Sequence, residues 1–345
     1  MTELSIGKQA VGDGHPCFIV AEIGSNHDQD FDQALRLIDA AAAAGVDAVK
    51  FQTFRASEHY SRRSPGFSYL DGQDTFSLIQ SLELDRSWQG RLLEHANAQG
   101  VEFFSSPCDL EAVEQLEALG VPAHKLASFD LTDTGFISEL AKTGKPIILS
   151  TGMATWMDIE LALEAMGPGG EQRTILLQCT SLYPAPPSLG NLRAMATMRA
   201  AFGTLVGYSD HTNGDQICLA AVALGACFIE KHFTLDRSLP GPDHSFATEP
   251  HEFAELVSRI RDVESSLGDG RKSGPRPEEL EMAEKGRRSL HAGSAIAEGT
   301  VITEEMLVVK RPGLGISPAL REQVVGRRAG RRIEADEWIL WDALA

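Results

Sequence analysis

Short apolar runs alternate with segments of helical periodicity along most of this chain. Eight apolar runs, each of three to six residues, end in polar residues and cover positions 18–23, 48–51, 101–104, 124–127, 146–149, 174–177, 204–208 and 227–229. Helical spacing of apolar residues marks the segments between or after them, for example 31–44, 110–119, 156–166, 189–202, 216–224 and 250–267. Regular alternation of strand and helix is typical of parallel α/β folds. Eight such units in about 250 residues predict a (β/α)8 TIM barrel.

An open, doubly wound sheet is the alternative fold, because periodicity does not show whether a sheet closes on itself. Two observations favour the barrel: the count of eight strands, and the polar residues that follow every one of them. A dinucleotide-binding sheet would concentrate such residues after its first strand, and no Gly-x-Gly-x-x-Gly sequence stands there.

The segments outside these repeats predict a hairpin, a linker and a small second domain. Alternating residues on both sides of Gly12-Asp13-Gly14 predict a hairpin before the barrel, with its turn at those residues. The composition of residues 269–276 predicts a linker, which we extend over residues 269–286. Beyond it, residues 296–307 align without gaps to residues 333–344. The predicted organisation is a barrel domain over 1–268, the linker, and a small domain over 287–345.

Composition and charge narrow the classes of partner. Hydrophobic residues make up 43% of the 345 positions and charged residues 23%, which is ordinary for a globular protein. The formal net charge is −18, and residues 1–270 alone carry −19. So acidic a body argues against nucleic acid as a partner. The basic run from Gly326 to Arg332 is more simply explained as a solvated face or an intersubunit ion-pair strip.

Cysteine usage and hydropathy predict a cytoplasmic protein. The five cysteines are scattered and form no CxxC pair, as expected in a reducing compartment. The first residues lack the basic and apolar regions of a signal peptide. The longest apolar run, residues 217–229, is too short to span a bilayer. We therefore expect no membrane partner.

Two histidines stand at the ends of neighbouring predicted strands, His211 after residues 204–208 and His232 after residues 227–229. Parallel strands joined by a crossover helix end on the same side of a sheet, about 5 Å apart. The two imidazoles therefore predict a site for one divalent ion, with positions left open for water or substrate. The alternative is that each histidine only packs or forms a local hydrogen bond.

Polar residues at the other strand ends predict a pocket for a small phosphorylated anion. Lys50 and Lys125 would supply its positive charge, and alternation places Gln52 on the face of Lys50 and Glu230 on the face of His232. The accompanying hydroxyls are those of Ser128, Ser150 and Ser209. A single lysine of this kind would more often be a solvated rim residue. Together, at the strand ends where barrels build their active sites, they favour a functional interpretation.

Nine strings at the strand ends occur in a characteristic order. They are Ala-Glu22-Ile-Gly-Ser-Asn-His27, Lys50-Phe-Gln-Thr53, Ser-Ser-Pro-Cys-Asp109, Lys125-Leu-Ala-Ser128, Ser150-Thr-Gly-Met-Ala-Thr155, Cys179-Thr-Ser-Leu-Tyr-Pro184, Gly207-Tyr-Ser-Asp-His-Thr212, Glu230-Lys-His-Phe-Thr234 and Gly241-Pro-Asp-His244. Together they resemble the sialic acid synthase family, which makes nine-carbon 2-keto sugar acids. Lys310-Arg-Pro-Gly-Leu-Gly-Ile316 is similar to the family's small C-terminal antifreeze-like (SAF, β-clip) domain. The resemblance covers nearly the whole chain and implies a TIM barrel followed by that domain.

The resemblance implies a metal-dependent condensation of phosphoenolpyruvate with the open-chain aldehyde of an N-acylated mannosamine-type sugar, with release of phosphate. The family usually uses Mn²⁺, with Mg²⁺ or Co²⁺ as alternatives, and the ion would lie on His211 and His232. Glu22 and Glu230 would act as general acid and base in the proton steps. For Glu22, an ordinary ion pair with one of the two lysines is the alternative.

The resemblance also assigns the substrate contacts. The residues that would hold phosphoenolpyruvate or line the sugar site are Lys50, Gln52, Ser106, Lys125, Ser128, Asp130, Ser150, Ser181, Tyr183, Ser209 and Asp243. The family forms a domain-swapped homodimer in which each antifreeze-like domain covers the other subunit's barrel mouth. In that arrangement Arg311 would meet the acylamino group of the sugar in the neighbouring subunit's site.

Departures from the family pattern leave the acceptor sugar open. Cys108 stands where the family usually carries Phe, and Phe129-Asp130 is similar to the pseudaminic branch, whereas residues 207–212 are similar to the sialic and legionaminic branches. Three rival functions are less well supported. Another phosphoenolpyruvate-dependent aldol barrel, such as 3-deoxy-octulosonate 8-phosphate synthase, needs a second phosphate site. A non-catalytic sugar-binding protein would have lost the histidine pair or Glu22, and a sugar isomerase leaves the two lysines unexplained.

Overall fold

A computed structural model of the protein describes residues 3–65 and 74–345. A hairpin of β1 (Glu3–Ile6) and β2 (Gln9–Gly12) precedes eight parallel strands. These are β3 (Phe18–Gly24), β4 (Ala48–Thr53), β5 (Glu102–Pro107), β6 (His124–Leu126), β7 (Ile147–Ser150), β8 (Thr174–Cys179), β9 (Leu205–Asp210) and β10 (Phe228–His232). They close into a barrel in the order β10-β3-β4-β5-β6-β7-β8-β9. The predicted (β/α)8 barrel is confirmed, and the open sheet is wrong.

All the barrel strands except β6, which ends at Leu126, extend further toward their carboxyl ends than the apolar runs predicted. In β9 and β10, Glu230 pairs with Ser209 and Lys231 with Asp210, so the ladder continues through polar residues. These side chains are buried, and they pair with one another instead of with water. Hydropathy therefore ended the other seven strands too early, because it treats a polar residue as solvated.

Helices separate the barrel strands along the chain, and a final helix follows the last strand. They are α1 (Phe31–Ala43), α2 (Ala56–His59), α3 (Thr75–Ser81), α4 (Gln89–Gln99), α5 (Leu110–Leu119), α6 (Thr134–Ala141), α7 (Trp156–Ala165), α8 (Arg193–Phe202), α9 (Gln216–Ala223) and α10 (Pro250–Leu267). In α1 the buried face repeats at helical spacing through Ala34, Leu37, Ile38 and Ala41, and Asp30 caps its first turn. No helix of the described part of the chain is long and apolar enough to cross a membrane.

The N-terminal hairpin turns at Gly7 and Lys8, not at Gly12-Asp13-Gly14. Ile6 pairs with Gln9, so only two residues connect the strands. Gly7 has a φ of 58°, a left-handed conformation that glycine adopts without a side-chain penalty. The hairpin was predicted correctly and its turn wrongly, because Gly-Asp-Gly is the stronger turn signal in the sequence.

Residues 269–345 form a second compact unit with its own apolar core. Its elements are α11 (Leu280–Gly286), the antiparallel strands β11 (Ser289–Ala292) and β12 (Leu307–Lys310), and α12 (Arg321–Val324). Helix α11 lies inside the predicted linker. The internal repeat has a structural counterpart: Ile296 and Ile333, which occupy equivalent positions, exchange backbone hydrogen bonds at 2.8 and 2.9 Å. The next equivalent pair, Ile302 and Ile339, is fully buried in that core.

Candidate active site

The carboxyl ends of the barrel strands surround a cavity of about 210 Å³. All but two of the predicted site residues line it. Those that line it are Glu22, Lys50, Gln52, Ser106, Lys125, Ser128, Asp130, Ser150, Tyr183, Ser209, His211, Glu230, His232 and Asp243. Of the two exceptions, Ser181 lies against Gly152, and Arg311 belongs to the second unit. The structure thus brings most of the candidates together, while their individual roles stay predictions.

A β-bulge sets the position of Glu22. The register between β3 and β4 shifts between Glu22 and Gly24, and Gly24 has a φ of 54°. Gln52 Nε2 donates to Glu22 Oε1 at 2.7 Å. A Cβ atom at Gly24 would lie 3.1 Å from that oxygen and 3.2 Å from the Gln52 nitrogen. Glycine therefore provides both the left-handed backbone and the space for this hydrogen bond, and the bulge aims Glu22 into the cavity.

Two lysines and two glutamates form a buried ionic cluster. Lys50 Nζ lies 2.7 Å from Glu22 Oε2 and 3.8 Å from Glu230 Oε2. Lys125 Nζ lies 3.6 Å from Glu230 Oε1, and Ser209 Oγ donates to the same oxygen at 3.1 Å. The four ionic side chains are at most 6% exposed. Protonation of one carboxyl group would leave this balanced cluster with a net positive charge, which favours binding of an anion.

The protein environment separates the pKa values of the two glutamates. Burial raises the pKa of Glu22, and the nearby charge of Lys50 offsets this only in part. Burial would also raise the pKa of Glu230, but Lys125 and Lys50 outweigh it and hold that pKa below its ordinary value. Burial likewise lowers the pKa of Lys125. Two carboxyl groups whose pKa values are pushed apart are suited to divide acid and base roles. Glu22 pairs with Lys50 and is also the group better able to retain a proton.

His211 and His232 face each other across neighbouring strands, with ring centroids 5.4 Å apart. His211 Nδ1 lies 2.8 Å from the carbonyl oxygen of Thr180, which can only accept, so Nδ1 carries the hydrogen and Nε2 keeps its lone pair. His232 Nδ1 is buried without a hydrogen-bond partner among the described residues and lies 3.7 Å from Asp243 Oδ2. Burial lowers the pKa of both imidazoles, which favours the neutral form that metals bind. The donor set fits a divalent ion.

A buried ion pair that the sequence did not reveal lies behind the histidines. Lys231 Nζ lies 2.6 Å from Asp210 Oδ2 and donates to the carbonyl oxygen of Thr212 at 2.6 Å. Asp210 directly precedes His211, and Lys231 directly precedes His232. Removing one partner of a buried ion pair costs about 3–5 kcal/mol. That cost comes from the unpaired charge left behind, so both partners are needed at the two strand ends that carry the histidines. Strand alternation was the available signal, since it places both residues on the face opposite the cavity.

The predicted serines differ in how far their hydroxyls are already engaged. Ser128 Oγ accepts a hydrogen bond from the backbone nitrogen of Gly152 at 2.9 Å, and Ser106 Oγ accepts one from Lys50 at 3.2 Å. Ser150 Oγ is buried and has no hydrogen-bond partner in the described part of the chain. Ser150 is therefore the hydroxyl best placed to meet a ligand.

Aromatic side chains lie beside the histidines. The Tyr183 ring centroid lies 4.3 Å from that of His211, and Phe246, which is not among the described lining residues, has its centroid 5.0 Å from that of His232. Residues that follow β4, β5 and β6 line the opposite side, which we call the far end of the cavity: Phe54, His59, Cys108, Phe129 and Asp130. His59 escaped sequence analysis because it lies on α2 and not at the end of a strand. Cys108 was noted only as a departure from the family pattern.

Arg311 follows β12 in the second unit, where its Nε donates to the carbonyl oxygen of Gly286 at 2.6 Å. It is an exposed residue. The predicted contact with a sugar would involve a second subunit, so the role of Arg311 stays a prediction.

Asp243 gives the site a measurable dependence on pH. Burial and the charge of Glu22 raise the pKa of Asp243 from 3.8 to about 7. A carboxyl group whose pKa is raised by folding binds its proton more tightly in the folded state, so stability falls as pH rises from about 4 to about 7. Across this window we expect the metal-free protein to lose about 2 kcal/mol of stability relative to Asp243→Asn. This is less than the pKa shift alone would give, because the Asp243 side chain is 22% exposed and solvent screens its charge. Urea unfolding of both proteins at several pH values checks this, and parallel stability curves would contradict it.

Comparison with known proteins places these features in a family. Residues 37–272 match the NeuB family, and residues 287–345 match the SAF domain. The chain is 41% identical to the N,N'-diacetyllegionaminic acid synthase of Campylobacter jejuni, over 93% of this chain and 98% of that protein. It is 34% identical to a pseudaminic acid synthase of the same species, over 92% and 93%. The crystal structure of an N-acetylneuraminic acid synthetase from Leptospira borgpetersenii, in complex with citrate, matches with a TM-score of 0.74 at 34% identity, covering 82% of this chain and 95% of that one.

Proposed function

Because the chain belongs to the NeuB family and carries a C-terminal SAF domain, we propose that it is a nonulosonic acid synthase. It condenses phosphoenolpyruvate with the open-chain aldehyde of an N-acylated mannosamine-type sugar and water, giving a nine-carbon 2-keto acid and inorganic phosphate. The observation that carries this proposal is the cavity in which a buried pair of lysines and glutamates adjoins two neutral histidines.

The lysines supply the binding energy for phosphoenolpyruvate. Its carboxylate and phosphate carry fixed negative charge, and buried charge-assisted hydrogen bonds to such groups are strong. Lys50 and Lys125 would take these groups, together with the unpartnered hydroxyl of Ser150. The raised pKa of Glu22 supports this step, since a protonated Glu22 relieves the repulsion that an incoming anion would meet.

The two glutamates supply the proton steps. The bond forms between the methylene carbon of phosphoenolpyruvate and the aldehyde carbon, and the aldehyde oxygen takes up a proton to become a hydroxyl. Glu22, which retains a proton more readily, is the donor to that oxygen. Water then adds to the carbon that bears the phosphate, and the ionised Glu230 accepts its proton before phosphate leaves.

A divalent ion is part of the proposal. His211 and His232 would hold it, with Asp243 as the nearest carboxylate. Such an ion polarises a carbonyl oxygen as a Lewis acid. We propose Mn²⁺, with Mg²⁺ or Co²⁺ as alternatives, as the resemblance to the sialic acid synthase family implies.

For the acceptor we place a 2,4-diacetamido-trideoxy hexose ahead of N-acetylmannosamine. The relative named as a legionaminic acid synthase is 41% identical, against 34% for the N-acetylneuraminic acid synthetase of Leptospira borgpetersenii. Cys108, where the family usually carries Phe, leaves room at the far end of the cavity for a second acylamino group. A phosphorylated acceptor is disfavoured, because Lys50 and Lys125 are the only lysines or arginines among the described lining residues, and both face the glutamates.

Mass spectrometry of the product tests the proposal and selects the branch. The full-length protein with Mn²⁺ and phosphoenolpyruvate is incubated separately with N-acetylmannosamine and with the 2,4-diacetamido-trideoxy hexoses that lead to legionaminic and pseudaminic acids. We expect one sugar to gain a pyruvate unit far faster than the others. No adduct with any of them, from protein that retains its fold, would overturn the proposed function.

Arg311 provides a test of the proposed domain-swapped homodimer. Arg311→Ala is expected to raise the KM of the acceptor about 10- to 100-fold, because it removes a charged hydrogen-bond donor, and to change the KM of phosphoenolpyruvate little. Mixed dimers of Arg311→Ala and Glu22→Ala chains should regain partial activity, since each site would draw Glu22 and Arg311 from different chains. Absence of recovery in demonstrated mixed dimers would contradict the swapped arrangement, and Arg288→Ala serves as a control for an arginine of the same unit.

A further inference from the structure

Three donor groups of different chemistry meet at the far end of the cavity. His59 ends α2, Cys108 directly follows β5, and Asp130 closes the turn after β6. One donor atom from each, a ring nitrogen, the thiol sulfur and a carboxylate oxygen, all lie within 4.8 Å of one another. His59 Nε2 and Asp130 Oδ1 are 3.8 Å apart, which is too far for a hydrogen bond. We call these three residues the HCD cluster.

The spacing of the HCD cluster suits a tetrahedral ion. Bonds of about 2.0–2.3 Å place the donors of tetrahedral zinc about 3.3–3.8 Å from one another. The His59–Asp130 distance of 3.8 Å lies at the upper end of this range, and the Cys108 sulfur lies within 4.8 Å of both other donors, so the three draw together by about 1 Å or less when an ion binds. The side chains of His59 and Asp130 are 22% and 14% exposed, so they are partly desolvated at the cavity wall. Three protein ligands leave a fourth position that opens into the cavity.

We propose that the HCD cluster binds a thiophilic divalent ion of the zinc class, and that the ion blocks the acceptor end of the active site. A donor set with sulfur selects Zn²⁺, Cd²⁺ or Co²⁺ over Mg²⁺ and Mn²⁺. The histidine pair His211 and His232 contains no sulfur donor, so the two sites differ in preference. Burial, with Asp130 and Asp109, raises the pKa of the Cys108 thiol, so an ion that binds must displace its proton.

The consequence for activity rests on the proposed function, whereas binding of the ion does not. Asp130 lies on the wall that we assign to the sugar, so an ion held there and the acceptor exclude each other. Zinc is then a competitive inhibitor against the sugar, while Mn²⁺ at the histidine pair supports turnover. The enzyme would thereby sense an excess of thiophilic metal ions through Cys108.

Cobalt absorption tests the binding site without any substrate. The full-length protein is stripped of metal with a chelator and titrated with Co²⁺, which shows an intense thiolate-to-metal band only when sulfur coordinates it. We expect this band in the wild type and in His211→Ala, and its loss in Cys108→Ser. Cys179→Ser is the matched control, because Cys179 also lines the cavity but lies outside the HCD cluster. A band that never forms, or that survives in Cys108→Ser and disappears in Cys179→Ser, overturns the proposal.

Two further measurements, Co²⁺ binding by a histidine variant and inhibition by Zn²⁺, test the same site. His59→Gln keeps the thiol and should weaken Co²⁺ binding about tenfold or more, so the proposal stays testable if Cys108→Ser misfolds. Zn²⁺ should raise the acceptor KM of the wild type, with an inhibition constant about tenfold or more lower than that for Cys108→Ser. Equal zinc inhibition of both proteins overturns the inhibitory role. If the cobalt band forms but no sugar is turned over, the HCD cluster still binds the ion and the proposed synthase function is overturned.

Discussion

Glu22→Gln is expected to lower kcat by about 10²- to 10⁴-fold while leaving the KM of phosphoenolpyruvate nearly unchanged, because a positioned general acid contributes a factor of this size. Glutamine keeps the shape of the side chain and its contact with Gln52, so the bulge at Gly24 is undisturbed. Lys50 retains Glu230 at 3.8 Å, which limits the cost of losing its closer partner. Steady-state kinetics, with phosphate release as the readout, separate the two constants.

The control for this substitution is Glu102→Gln, which makes the same chemical change at the opposite end of a barrel strand. It should leave both constants within about a factor of two, as expected of a surface substitution away from the site. If Glu22→Gln instead retained kcat and raised the KM of phosphoenolpyruvate, Glu22 would be only a partner that orients Lys50. Its contact with Lys50 would then be an ordinary ion pair.

Replacing either His211 or His232 by alanine is expected to remove metal-dependent turnover and to weaken Mn²⁺ binding by about 100-fold or more. Each histidine is one of the two imidazoles at the proposed ion, and both line the cavity. The fold should therefore persist, with Asp210 and Lys231 still joined behind the site. Equilibrium dialysis with Mn²⁺ reports binding independently of activity, and circular dichroism reports the fold.

His251→Ala is the matched control for the histidine variants, since His251 is 86% exposed and lies on α10. It should bind Mn²⁺ as the wild type does. Unchanged Mn²⁺ binding in both His211→Ala and His232→Ala would contradict the metal site. The two imidazoles would then serve only to pack against Tyr183 and Phe246.

The fold was predictable because it rests on repetition. Eight apolar runs alternating with helical segments leave few arrangements, and the bounds of helices α5 and α10 match their periodic segments at both ends. Strand ends were predicted too short, since Ser209 and Glu230 remain in the ladder as buried partners of each other. Burial of a polar residue depends on its neighbours in space, which periodicity does not report.

The candidate site was predictable in location but not in its internal chemistry. Polar residues at strand ends must meet at one end of a barrel, and this placed Lys50, Lys125 and the histidine pair together. The sequence did not show which carboxylate pairs with which lysine, and so could not assign opposite pKa shifts to Glu22 and Glu230. Residues that reach the cavity from other elements, such as His59 on α2, carry no strand-end signal.

Acceptor-dependent release of phosphate tests the central claim most directly. The full-length protein is mixed with phosphoenolpyruvate, Mn²⁺ and a 2,4-diacetamido-trideoxy hexose, and phosphate is followed against the sugar consumed. We predict one phosphate for each sugar, none without the sugar, and none after the metal is removed by chelator. Phosphate released equally with and without the sugar would show simple hydrolysis and contradict the claim that this barrel joins the two substrates.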